Sequence, residues 1–355
     1  MDFTSEWLGR YLTHRLGARV RGLSLEKFTR GSSRQTWFGS YRVESTGAET
    51  GIVLRTDHPG GSVDPTPLDQ EYFIYERLGG AGLPVARALF WEDDPAWTSR
   101  PFYLREKIEG SWNIAHYSDP DPRYDDLRIA VAKEHIKALA QVHALDWRKL
   151  GFADRLLPPA DESDAAPAYI RGVKRLMVEK PGEPIPLFWE TCEWLLDRAP
   201  RASRICLCKG TNGLGEEVFR GATLVALSDW EEVSISDPAS DFAFCQNFCD
   251  PIHRNGRQIW GLEQALDYYR AVSGFTITPE SVRDYQLIRS LNRLVMMRNA
   301  ALNAHQNAAI ADIRQVWTGT EVQHVVKRSL AAAMGLLPPL PAALYPELNR
   351  TVDTL

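Results

Sequence analysis

Cysteine is scarce in this 355-residue chain, and the five present (Cys192, Cys206, Cys208, Cys245 and Cys249) are an odd number. That argues against a disulfide framework and makes a reducing cytoplasm the expected location. Neither Cys206/Cys208, in the apolar run Ile205-Cys206-Leu207-Cys208, nor Cys245/Cys249, one helical turn apart, has the tight Cys-x-x-Cys spacing of a zinc site. They read as inert buried thiols. An excess of basic residues is also missing. A net charge of -5 argues against a nucleic-acid stripe or a polybasic membrane patch, so neither partner is expected. Nothing approaches the run of about 20 apolar residues that spans a bilayer. Residues 1–17 carry Asp2, Glu6, Arg10 and Arg15 rather than an apolar signal core, so secretion is not expected.

What is present is an ordinary globular composition, 44% hydrophobic and 25% charged, in a chain long enough for two lobes. Residues 23–28, 36–43 and 51–55 mix β-branched and aromatic residues between polar or Gly-rich breaks and predict three strands. Leu68, Tyr72, Tyr75 and Leu78 recur at helical spacing before Gly79-Gly80, predicting a helix. Residues 85–91 and 102–108 supply two further strands. From about residue 109 the periodicity is helical, over 129–147 and 285–303 among others. Between these lies an expected strand pair, 205–209 and 223–229, flanking a loop. The fold class is therefore α+β, with a β-rich lobe at 1–108 and a helical lobe at 109–355.

The flanked loop reads Cys208-Lys209-Gly210-Thr211-Asn212-Gly213-Leu214-Gly215-Glu216-Glu217, and Leu227-Ser228-Asp229-Trp230-Glu231 follows. With Val53-Leu54-Arg55, Glu71 and the strand Pro101-Phe102-Tyr103-Leu104-Arg105-Glu106-Lys107-Ile108, these segments taken in order resemble the aminoglycoside phosphotransferase and choline-kinase-like family. The branch resembled is the one found alone or fused to acyl-CoA dehydrogenases, over roughly residues 25–303. The resemblance implies a bilobal protein-kinase-like fold, with ATP and Mg²⁺ as cofactors and a small-molecule hydroxyl as acceptor.

Residue by residue, the resemblance makes the loop containing Gly31, Ser32 and Ser33 the nucleotide cover, where backbone N–H groups approach phosphates; a structural β-turn would read the same way. Arg55 becomes the phosphate-pairing cation and Glu71 its partner, against the alternative of a surface Arg and a solvated Glu. Glu106 and Ile108 fall at the hinge whose backbone meets the adenine edge, although an ordinary edge strand would look alike. Asp229 is the metal-binding carboxylate at a strand end. His143 reads as a packed or capping residue, and Asp241, in Asp237-Pro238-Ala239-Ser240-Asp241, as a helix cap.

The catalytic loop departs from the family's His-Gly-Asp and Gly-Asn. Aligned on Gly210 and Gly215, it places Lys209, Thr211 and Glu216 where His, Asp and Asn are expected, barring a one-residue slip. A threonine hydroxyl is not a carboxylate base. A Glu216 oxygen can still ligate Mg²⁺ together with Asp229, and Lys209 adds a fixed positive charge. The residues carrying any chemistry are thus Lys209, Thr211, Glu216 and Asp229. Three readings stand: a phosphotransferase working without its usual base, a pseudokinase that binds nucleotide or metabolite without turnover, and a kinase-like cleft redirected to other chemistry. Under the first, a hydroxyacyl thioester or similar metabolite is the expected acceptor. Asp161, Glu162, Asp164, Asp229, Glu231 and Glu232 would be the acidic set for a polycationic aminoglycoside, or else are solvated.

Overall fold

The computed structural model describes residues 3–29, 34–180, 182–213, 215–307 and 313–339, so Gly31, Ser32 and Ser33 lie outside the described residues. Helix α1 (Ser5–Leu16) is opened by Thr4, whose hydroxyl accepts the Trp7 N–H, and closed by Gly17 in the left-handed region. The first strands follow as β1 (Val20–Phe28), β2 (Arg34–Val43) and β3 (Glu49–Asp57), then α2 (Leu68–Leu78), β4 (Ala88–Glu92) and β5 (Phe102–Glu106). They form one antiparallel sheet in the order β1-β2-β3-β5-β4.

Period-two alternation divides the sheet's side chains. Ile52, Leu54, Phe102 and Leu104 pack under α1 with Trp7, Tyr11 and Trp37, whereas Tyr103 faces α2 and Val53 and Arg55 line a cleft. The sequence led to one helix in this region and the structure has two. The missed one, α1, presents Trp7, Leu8, Tyr11 and Leu12 on a single buried face.

The remainder is largely helical: α3 (Asp125–His143), α4 (Ala165–Glu179), α5 (Pro186–Leu196), then β6 (Cys206–Cys208), β7 (Val218–Arg220), β8 (Thr223–Ala226), β9 (Ser234–Ser236) and α6 (Ala239–Phe242). The hairpin β10 (Ile252–Arg254) and β11 (Arg257–Trp260) leads to α7 (Leu262–Ser273) and the long α8 (Pro279–Gln306). Helix α9 (Ile313–Trp317), a π-helical turn (Thr318–Val322) and α10 (Gln323–Ala333) end the described part. The strand pair expected at 205–209 and 223–229 does not form. Strand β6 pairs with β9 and β7 with β8, because the intervening loop folds back onto buried side chains instead of closing a hairpin. The two lobes are tied by the 107–111 connection, by a parallel bridge between Val85 and Leu227, and by asparagines of α8. Asn299 Nδ2 donates to Val63 O, and Asn303 Nδ2 to Gly61 O and Ser62 O. Among the described residues no helix is long and apolar enough to cross a membrane. All five cysteines are free thiols; Cys249 is half-buried and the others are buried.

Candidate functional site

Strand β3 delivers Arg55 to the cleft, and α2 faces it with the fully buried Glu71. Arg55 Nη1 donates to Glu71 Oε1 and lies 3.3 Å from Asp229 Oδ1, while its Nη2 lies 3.4 Å from Glu231 Oε2. Tyr103, the register partner of Arg55 on β5, donates its hydroxyl to the same Glu71 oxygen at 2.8 Å. Arg34, at the start of β2, is buried with them. It pairs with Asp57, with Glu71 Oε2 at 3.1 Å and with Glu231 Oε2 at 3.8 Å. Burial works against both guanidinium charges, but the surrounding carboxylates, Glu71 foremost, outweigh it and raise both pKa values.

Asp229 follows β8 with a left-handed backbone (φ 58°), a conformation that costs a non-glycine residue roughly 1–3 kcal/mol and is held by its surroundings. Its carboxylate shares a hydrogen bond with that of Glu216. Burial and the charge of Asp229 push Glu216 well above the usual carboxylate range. Asp229 itself stays low despite burial, because Arg55 and the Glu216 hydrogen bond favour its anion. Glu231 is likewise pushed well up, by burial and then by Asp229. The cluster holds more carboxylates than arginines, and burial together with this excess of negative charge disfavours the ionised forms of Glu216 and Glu231. Two adjacent hard oxygen donors under such pressure suit a divalent ion such as Mg²⁺, so Asp229 and Glu216 fit the metal expected from the sequence.

The loop itself hangs on Asp241. Its fully buried carboxylate accepts the backbone N–H of Lys209 at 2.8 Å and of Gly210 at 2.7 Å, Asn212 Nδ2 at 3.0 Å and His143 Nε2 at 2.9 Å. Expected as a helix cap, Asp241 is instead the anchor of the loop. Gly210 has φ 89°, and a Cβ there would sit 2.2 Å from Glu232 O, so only glycine fits.

Lys209 does not offer its charge to the cleft. Its fully buried Nζ lies 3.1 Å from Glu217 Oε1, donates to Thr211 O and lies 3.5 Å from Asp229 O. Burial pushes Glu217 up to about 7 against the pull of Lys209, and its other oxygen accepts the Ser228 N–H at 3.0 Å. Behind them His135 is neutral, its pKa lowered to about 3 by burial and by Lys209. The lysine expected to add a fixed positive charge beside the site thus closes an internal pair. Among the described residues the buried Thr211 hydroxyl oxygen has no hydrogen-bond partner.

A buried Arg–Glu pair on strand and helix, joined to an Asp at a strand end and facing a loop held by its backbone, is the arrangement of a phosphate-handling cleft. Residues 25–284 match the APH phosphotransferase enzyme family. The chain belongs to that family. Acyl-CoA dehydrogenase family member 10 of Mus musculus is 27% identical over 251 residues, 69% of this chain and 22% of the relative. Family member 11 of the same species is 25% identical over 239 residues, 64% of this chain and 28% of the relative. The chain therefore spans about a quarter of the length of these curated relatives. Among solved structures, a Ralstonia eutropha protein provisionally assigned as an aminoglycoside phosphotransferase superposes with a TM-score of 0.64 at 19% identity, covering 94% of this chain and 99% of that one. The macrolide 2'-phosphotransferase MphH of Brachybacterium faecium gives 0.54 at 19% identity, covering 95% and 99%. These likenesses establish the kinase-like phosphotransferase fold.

Against that family background, the cleft between the lobes has a volume of about 1350 Å³. It contains Arg55, Thr211, Glu216, Asp229 and Ile108 from the sequence-derived set, with Val53 and Phe38 on the sheet side. Glu106 is not among its lining residues. Its side chain pairs with Arg87 at 2.7 Å and its N–H donates to Arg87 O. Asp161, Glu162 and Asp164 also lie elsewhere: Glu162 pairs with Arg201 and Asp164 with Arg171.

Sequence reasoning assigned no role to Arg34, although Arg34, Thr36 and Phe38 alternate onto the cleft face. It also overlooked the far wall, which α8 and the helices after it supply through Arg293, Met296, Met297, Trp317, Val322 and Val326.

Proposed function

We propose that this protein transfers the terminal phosphoryl group of ATP to a hydroxyl of a small molecule, with Mg²⁺ between Glu216 and Asp229. The observation that carries this reading is the continuous network Glu71–Arg55–Asp229–Glu216, which places a fixed cation and two metal-type oxygens at one end of a deep cleft. Arg55, fixed by Glu71, meets the phosphates, and Ile108 borders the adenine end. The metal would neutralise charge on the transferred group, and most catalysis of such transfer is positioning and charge neutralisation. Thr211 has no basic function here. The residue lines the cleft where an acceptor would lie, and the acceptor's proton leaves late, as a loose transition state allows.

Loss of a general base typically removes about 10²–10⁴-fold in rate, so slow turnover is expected. A hydroxyacyl thioester fits as acceptor, because the curated relatives carry this domain beside an acyl-CoA dehydrogenase name. A pseudokinase that binds without turnover is the second reading. Thr211 at the base position and the internal pairing of Lys209 favour it.

Calorimetric titration with ATP, with and without Mg²⁺, tests the common core. Micromolar binding that needs Mg²⁺ and disappears in Asp229→Ala is expected. No binding at millimolar ATP refutes phosphotransfer and a nucleotide-binding pseudokinase and leaves only a non-nucleotide ligand, and binding without ADP formation across an acceptor screen selects the pseudokinase.

A further inference from the structure

Helix α8 carries two arginines one turn apart with different fates. Arg289 is spent inside the protein: it pairs with Glu232 and donates to Gly210 O at 2.8 Å and Ser240 O at 3.3 Å. Arg293 faces the cleft instead. Its guanidinium sits 4.0 Å from the centre of the Phe244 ring and, among the described residues, forms no ion pair or hydrogen bond. Burial and the neighbouring Arg289 lower its pKa to about 10, which leaves it charged at neutral pH. Arg293 lines the cleft beside Met296, Met297, Val322 and Val326. A half-buried cation with no carboxylate partner among the described residues, set in a largely apolar wall, suits an anion from a ligand.

We infer that this half of the cleft binds an acceptor bearing a carboxylate or phosphate, whose negative group meets Arg293 while its aliphatic part lies along Met296, Met297, Val322 and Val326. The inference deepens the phosphotransfer reading and rests on it for naming this the acceptor half; the anion site itself does not. A polycation is disfavoured here by Arg293. The acidic residues nearest the loop are already engaged, Glu232 by Arg289 and Glu231 by Arg55.

The test is calorimetry on the full chain with 8-hydroxyoctanoate, 1,8-octanediol and 8-amino-1-octanol, with octyl phosphate to tell phosphate from carboxylate. A charge-assisted contact predicts that an anionic probe binds about ten- to hundredfold tighter than the diol, and the amine least. Arg293→Gln is expected to erase the preference and Arg293→Lys to keep part of it, with Mg²⁺-ATP affinity and melting temperature unchanged in both. Equal binding of acid and diol overturns the inference, as does a preference that survives Arg293→Gln. Loss of ATP affinity with acid binding intact also overturns it and assigns Arg293 to the nucleotide. If the wild type binds the anion through Arg293 but no ATP, the phosphotransfer reading fails and the anion site stands.

Discussion

Glu217→Gln removes the one carboxylate that, among the described residues, pairs with Lys209, a lysine with no solvent exposure. In direct contact with Nζ, among the described residues, there remain the carbonyl oxygen of Thr211, that of Asp229 at 3.5 Å and the ring of Trp230 at 5.6 Å, none of them charged; the carboxylates of Asp229 and Glu216 act on it only without a contact. Breaking one side of a buried pair typically costs 3–5 kcal/mol, because the surviving ion keeps its desolvation penalty. The lower figure applies here: glutamine can still accept the Ser228 N–H, and the lysine can release its proton. At about 3 kcal/mol and a urea slope of about 3 kcal/mol/M, the unfolding midpoint at pH 7.5 should fall by roughly 1 M. Lys209→Met in the same background leaves neither ion. The double variant should recover to within about 1 kcal/mol of wild type, and the double-mutant cycle should return a coupling of at least about 2 kcal/mol, larger by whatever Lys209→Met costs alone. A Glu217→Gln protein within about 0.5 kcal/mol of wild type would refute the reasoning. So would single losses that simply add.

Two further outcomes follow from the same geometry. Thr211→Asp should leave phosphotransfer no slower and raise ADP formation, by up to about the 10²–10⁴-fold that a general base contributes; loss of native activity would instead favour redirected chemistry. Asp237 is 1% exposed and burial pushes its pKa to about 6 from 3.8, so the folded protein holds a proton that the unfolded chain gives up earlier. Stability is therefore lost as pH rises from about 4 through 6, by about 3 kcal/mol at 1.36 kcal/mol per unit. Asp237→Asn can still accept the Ala239 N–H, and unfolding measured across that range should show this dependence removed.

The sheet and α2 were legible because each announces itself locally, through alternation or helical spacing, whereas the Arg55–Glu71–Asp229 set came from the ordered segments that resemble the family. Helix α1 was legible in principle from Trp7, Leu8, Tyr11 and Leu12, but its charged exposed face obscured the pattern. The pairing of β6 with β9 was not, since strands of three residues carry no register signal. Nor was the Lys209–Glu217 pair, because the loop path that brings them together is set by Asp241, more than twenty residues downstream. The wall formed by α8 was hidden for another reason. That helix buries Arg289, Asn292, Arg298, Asn299 and Asn303 as well as its apolar residues, so its polarity does not say which side meets a ligand.

Those asparagines have a mechanical consequence. A two-lobed cleft with one connecting strand opens like a jaw, whereas here Asn299 and Asn303 strap residues 61–63 of the sheet lobe to the helix that forms the far wall. Opening the cleft must therefore either break these three hydrogen bonds, at a cost of a few kcal/mol, or carry residues 61–63 along with the helix.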